Sequence, residues 1–174
     1  MKTPPAPEFS RVIEVTRLTR DGRHFEIAAN PAERAALAKR FDLIALGRLA
    51  AVVRLEQIPG GLYRLTAELD ADVTQACVVS LAPVQSRVEE GFSVLYGGDG
   101  EAQEVNLDGA AETIEPIENG VIDIGEAVAQ QLSLALDPFP HAPGAEASIP
   151  VGSAKPLSPF QALAALKKEN NSKE

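Results

Sequence analysis

The sequence predicts an α+β fold: a twisted antiparallel sheet of five or six strands packed by two helices, then a flexible C-terminal arm carrying a short helix. Three observations predict it. From Tyr63 to Val73 apolar and polar residues alternate without a break, the period of a strand with one wet face. Two segments open with helix-capping patterns, Asn30-Pro31-Ala32-Glu33 and Asp123-Ile124-Gly125-Glu126. Five prolines and two glycines lie between Pro138 and Pro156, where no regular structure is expected.

Taken in order, residues 1–8 read as a disordered leader. Phe9 to Leu18 alternates and predicts a first strand, although neither face is cleanly apolar. Asp21-Gly22 is a turn signal, and His24 to Ala28 reads as a second strand. At Asn30 the side chain can cap, Pro31 suits the first helical position, and Glu33 can reach back to the cap. That helix is expected to run to about Phe41, with Ala35, Ala36, Leu37 and Phe41 as its stripe. Leu43 to Ile58 is strand-like, with Leu49, Ala51, Val53 and Leu55 on one face. Pro59-Gly60-Gly61 turns the chain into the long strand from Tyr63. The alternation extends through Cys77, Val79 and Leu81 until Pro83 breaks it, so Cys77 is expected as a buried thiol on the apolar face. Val84 to Tyr96 is a further strand, and the polar, acidic stretch Gly97 to Glu118 reads as a loop or an irregular insertion. The Asp123 capping box opens a helix to Leu136, striped by Ile124, Val128, Gln131, Leu132 and Ala135 and widened by Leu134 and Leu136. Asp137-Pro138 ends it. Ser158-Pro159-Phe160-Gln161 caps a short helix to about Lys168. The expected organisation is a leader (1–8), one α+β domain (9–137), a Pro-rich linker (138–157) and a C-terminal helix and tail (158–174).

At 174 residues, 45% hydrophobic and 24% charged, the chain is long enough and apolar enough for one domain with a real core. Aromatics make up 5% and Trp is absent, so that core is built from aliphatic residues. The net charge of −9 argues against a free-standing nucleic-acid binder. The charge is uneven: +3 over residues 1–58, −13 over 59–157 and +1 over 158–174. Met1 to Ser10 has three prolines and no apolar core of a secretory signal, and no apolar run is long enough to span a membrane. A cytoplasmic protein is expected. A lone cysteine forbids an internal disulfide and a four-thiolate zinc site.

No catalytic constellation emerges. His24 and His141 have no Cys or Ser partner at motif spacing. Glu112, Glu115, Glu118, Asp123 and Glu126 form an acidic cluster that fits a solvated surface or a partner-binding face; its spacing is not that of a calcium loop. Phe160, Leu163 and Leu166 share one side of the last helix, with Lys167 and Lys168 at its end. Glu112, Glu115, Glu118, Phe160, Leu163, Leu166, Lys167 and Lys168 are the candidate partner-binding residues. No catalytic, cofactor or metal residue is assigned.

Three segments together resemble one family. They are Ala76-Cys77-Val78-Val79-Ser80-Leu81-Ala82-Pro83-Val84 with Val88-Glu89-Glu90-Gly91-Phe92, then Ile122-Asp123-Ile124-Gly125-Glu126 running on to Pro140, and Ser158-Pro159-Phe160-Gln161-Ala162-Leu163-Ala164-Ala165-Leu166-Lys167-Lys168. Their order and separation resemble the YceD family of bacterial and plastid proteins, which is linked to accumulation of large-subunit ribosomal RNA. The resemblance implies a non-enzymatic accessory factor for 23S rRNA, and the acidic centre suggests that it acts by holding a basic ribosomal or assembly protein. It could instead touch rRNA through Arg11, Arg17, Arg20, Arg23, Arg34, Lys39, Arg40, Arg48 and Arg54. Many relatives carry Cys-x-x-Cys where this chain has Cys77-Val78-Val79-Ser80, and further cysteines where it has Pro138 to Gly144; those look like a zinc site in relatives. With Cys77 alone, no zinc is expected here. The competing expectation is a small-molecule or lipid-binding β-domain, since long amphipathic strands can enclose a cavity.

Overall fold

Along the chain the computed structural model, which describes residues 7–98, 103–107 and 110–145, forms eight strands and two α-helices. They are β1 (Val12–Glu14), β2 (Arg23–Ala28), α1 (Pro31–Arg40), β3 (Ala45–Ile58), β4 (Leu62–Ala76), β5 (Pro83–Tyr96), β6 (Gln103–Leu107), β7 (Ala110–Glu115), β8 (Val121–Asp123) and α2 (Ile124–Ala135). Strands β2-β3-β4-β5-β7-β6 make a six-stranded sheet, and β1 pairs with β8 in a separate two-stranded one. This is the α+β architecture expected, with two corrections. The first strand is shorter, because Val15–Arg17 forms a 3₁₀ turn after β1. One pairing, β5 with β7, is parallel, through Leu95 opposite Ile114 and Tyr96 opposite Glu115.

That parallel pairing has its origin in the stretch read as a loop. Gln103–Leu107 and Ala110–Glu115 instead pair as the antiparallel strands of a β6–β7 hairpin. Polar residues hide its period, yet they suit an edge, where charge discourages pairing with another chain.

The alternation in β3 and β4 sends Leu49, Val53, Leu55, Leu65, Leu69 and Val73 to one face, where all are buried. Helix α2 lies on β4 and β5, and α1 lies on β3. From α2 come Ile124, Val128, Ala129 and Leu132; from α1 come Leu37 and Ala38. Of the expected α1 stripe, Leu37 is buried, Ala36 and Phe41 are half-buried with Phe41 packed against the core, and Ala35 is exposed; Leu134 of α2 is 79% exposed rather than part of the core. Burying an aliphatic side chain stabilises by about 1.5–3 kcal/mol, so this single layer dominates the fold's stability.

Candidate functional site

The Ile122–Glu126 segment joins the helical layer to the N-terminal strand, residue by residue. Ile122 and Ile124 are buried anchors. Asp123 Oδ1 accepts from the amides of Gly125 (3.0 Å) and Glu126 (3.2 Å), capping α2, and from the amide of Arg11 (2.7 Å). Its Oδ2 accepts from Ser10 Oγ at 2.5 Å. Gly125 lies against the backbone of Phe9 and Arg11, closer than any side chain allows. Glu126 does not close the expected capping box: it accepts from Arg40 Nη2 at 2.8 Å. Glu33 does close one, accepting from the Asn30 amide at 2.8 Å while the Asn30 side chain accepts from the Ala32 and Glu33 amides. Both Glu33 oxygens also bind Arg11, at 2.8 and 3.0 Å, and that hydrogen bonding holds its carboxyl below the usual carboxylate range.

These bridges remove cations from the surface. Of the nine expected to be available to RNA, Arg11, Arg17, Arg40, Arg48 and Arg54 are in salt bridges.

The carboxylates are less compensated. The sheet face turned away from the helices carries an open trough of about 830 Å³. Register builds it in rows. Glu26, Val52, Glu68 and Gly91 lie side by side across four strands, and so do Ala28, Ala50, Asp70 and Glu89. Arg48, Asp72 and Arg87 follow. Asp70 binds both Arg48 (3.1 Å) and Arg87 (2.9 Å). Five carboxylates therefore face two guanidiniums in these rows, over a floor of alanines, Val52 and Gly91. Glu26 and Glu68 stand about 10 Å apart across β3, by the spacing of neighbouring strands.

A second concavity, about 510 Å³, runs between the ends of β5 and β7 and helix α2. Glu115 and Glu118 line it together with Asp123, Glu126 and Leu134. Tyr96 forms part of its floor; burial, aided by Glu115 and Asp123, pushes the phenol up to about 12. Of the expected partner-binding acids, the groove brings together Glu115 and Glu118, while Glu112 lies on β7 opposite Val105. Phe160, Leu163, Leu166, Lys167 and Lys168 lie outside the described residues. The trough acids Glu26, Glu68 and Glu89 were not singled out in the sequence; the polar face of β4 was visible there, but not its neighbours in the sheet.

Cys77 is buried as expected, though not on the sheet: β4 stops at Ala76, and Cys77 opens a tight loop to Ala82. Its Sγ accepts from the amides of Ala142 (3.3 Å), Val79 (3.4 Å) and Ser80 (3.4 Å). Those donors, Ala142 first, outweigh burial and lower the thiol to about 6. The loop thus meets the 139–142 segment, the two places where resemblance locates the extra cysteines of relatives. The residues here do not fit zinc: one thiolate stands where a tetrahedral site needs four ligands. Ser80 occupies the second motif position, and His141 is exposed with Nδ1 engaged by the Phe139 carbonyl. Among the described residues no group of three His, Cys, Asp or Glu side chains is placed to hold a metal. No described helix is long and apolar enough to cross a membrane.

The family model described as "Large ribosomal RNA subunit accumulation protein YceD" matches residues 65–167. No curated protein and no solved structure matches the chain.

Proposed function

Because the chain belongs to the YceD family, we propose that it is a cytoplasmic, non-enzymatic accessory factor for accumulation and processing of 23S rRNA, acting by holding a basic ribosomal or assembly protein. The observation that carries this is the acid-walled trough on the open sheet face, where Glu26, Glu68, Asp70 and Glu89 stand with two arginines, Arg48 and Arg87. Glu26 and Glu68 are exposed and in no salt bridge among the described residues. Such a surface repels phosphate and attracts lysine- and arginine-rich protein, raising the encounter rate. Glu115 and Glu118 extend the same sign of charge into the second groove. Direct contact with rRNA is less supported, since five of the nine front-half cations are already paired within the chain.

Lipid or small-molecule binding finds less support. The apolar strand faces pack on α1 and α2, and acid walls disfavour phosphate headgroups.

A deletion strain tests the biological claim: precursor large-subunit rRNA should build up and mature 23S rRNA should fall, and normal levels of both would overturn it. Affinity capture with the purified chain tests the molecular one. Basic ribosomal proteins should be enriched at low salt and lost at moderate salt; capture of RNA without them would overturn the protein-holding role.

A further inference from the structure

Beyond the end of β4 the molecule exposes apolar side chains that its fold does not need. Val78, Val79 and Leu81 are 49%, 38% and 76% exposed, and Phe139 is 69% exposed. The Val78 amide donates to the Pro140 carbonyl at 2.9 Å, which sets Phe139 beside this loop. The loop itself is closed at both ends. The Cys77 amide donates to the Ala82 carbonyl (2.8 Å), and the Leu81 amide to the Cys77 carbonyl (2.9 Å). That closure puts Leu81 in the left-handed region, with φ of 60°. Glycine or asparagine would sit there with less strain, whereas a side chain with a Cβ costs roughly 1–2 kcal/mol. Leucine at this position is strained and solvated at once. It gives the core nothing, and exposed apolar side chains grouped on one loop and its neighbour suit a surface that another segment covers.

The chain's own course says what is within reach. Ala142 is anchored on Cys77 Sγ, and the Ala145 amide donates to the Ala142 carbonyl at 3.0 Å, so residues 146–174 depart from this tip. Twelve residues separate Ala145 from Ser158. Covalent geometry lets a stretch of that length span at most about 40 Å. It then delivers Phe160, Leu163 and Leu166, three large apolar residues at helical spacing, followed by Lys167 and Lys168. The covalent link keeps the segment within that distance of the tip, which favours a contact in cis over one with a second copy.

We propose that residues 158–168 dock in cis on the apolar tip formed by Val78, Val79, Leu81 and Phe139. The contact is apolar, so it persists at salt concentrations that abolish capture on the acidic trough; the two surfaces are therefore separable in one preparation. The test places a photo-crosslinking benzoylphenylalanine at Phe160 in the full-length chain, irradiates dilute protein in high salt, and maps the adducts by mass spectrometry. Intramolecular adducts at Val78, Val79, Leu81 or Phe139 are expected. Leu81→Gly, which relieves strain and so keeps the fold, should lower their yield roughly tenfold. Leu163→Asp with Leu166→Asp should lower it to a similar extent from the other side. Adducts on the open sheet face, adducts between two copies, or a yield unchanged by Leu81→Gly would each overturn the proposal.

Discussion

A Cβ on Gly125 would stand 2.6 Å from the Phe9 carbonyl oxygen and 2.9 Å from the Arg11 amide nitrogen. Both obstacles are backbone, so neither can rotate away. Gly125→Ala is expected to cost about 2 kcal/mol, as overpacking does, and to lower Tm by roughly 4–8 °C; scanning calorimetry reads it directly. Cys77 makes a prediction of a different kind. An unfolded thiol titrates near its ordinary 9.0, whereas the Ala142 amide, the Ser80 side chain and amide and the Val79 amide hold the folded one at about 6. Between those values unfolding takes up a proton, so stability rises with pH across the window. The contribution is fully present above pH 9 and is lost as pH falls through 6. Urea midpoints should therefore climb from pH 6 to pH 9, and Cys77→Ala should flatten that climb. A slope that survives the substitution would place its origin elsewhere.

The helices show how one residue can hold an element in place. Asp123 accepts four hydrogen bonds, two from α2 and two from the segment leading into β1. Asp123→Ala is expected to destabilise by about 2–3 kcal/mol, a cap and its tertiary bonds together. The urea midpoint should fall with little change in its slope, because the surface exposed on unfolding is unchanged. Both α-helices seen here were legible in the sequence, since a cap is written within four residues: Asn30 with Glu33, Asp123 with Gly125 and Glu126. The long strands were legible for the same reason, their period being local. What escaped is whatever depends on pairing. The β6–β7 hairpin has no apolar period to betray it, and its parallel contact with β5 is set by a crossover. Glu126 is bound to Arg40, 86 positions away, where a local rule sent it back to its own cap. The trough escaped likewise: Glu26, Val52 and Glu68 come from three strands and meet only through register. Val79 and Leu81 kept the strand period by coincidence, in a loop whose shape is set by Cys77 and Ala142.

At the scale of the whole molecule, charge is sorted by use. Residues 1–58 carry +3, yet five of their eight arginines are in salt bridges among the described residues, while the trough acids Glu26 and Glu68 are in none. On the proposed reading the partner-facing surface is the acidic one. Converting Glu26 and Glu68 to lysine should leave stability nearly unchanged, because both side chains are exposed and unbridged. Binding should change sharply. At low ionic strength the association rate with a basic ribosomal protein is expected to fall about tenfold, and its dependence on salt to flatten. Converting Arg20 and Arg23, two exposed cations in no salt bridge among the described residues, to glutamate should leave that rate intact or raise it. Stopped-flow association across a salt series measures both variants. Loss of binding on reversing the arginines, with no effect from the lysines, would move the working surface to the front of the chain and make RNA the better partner.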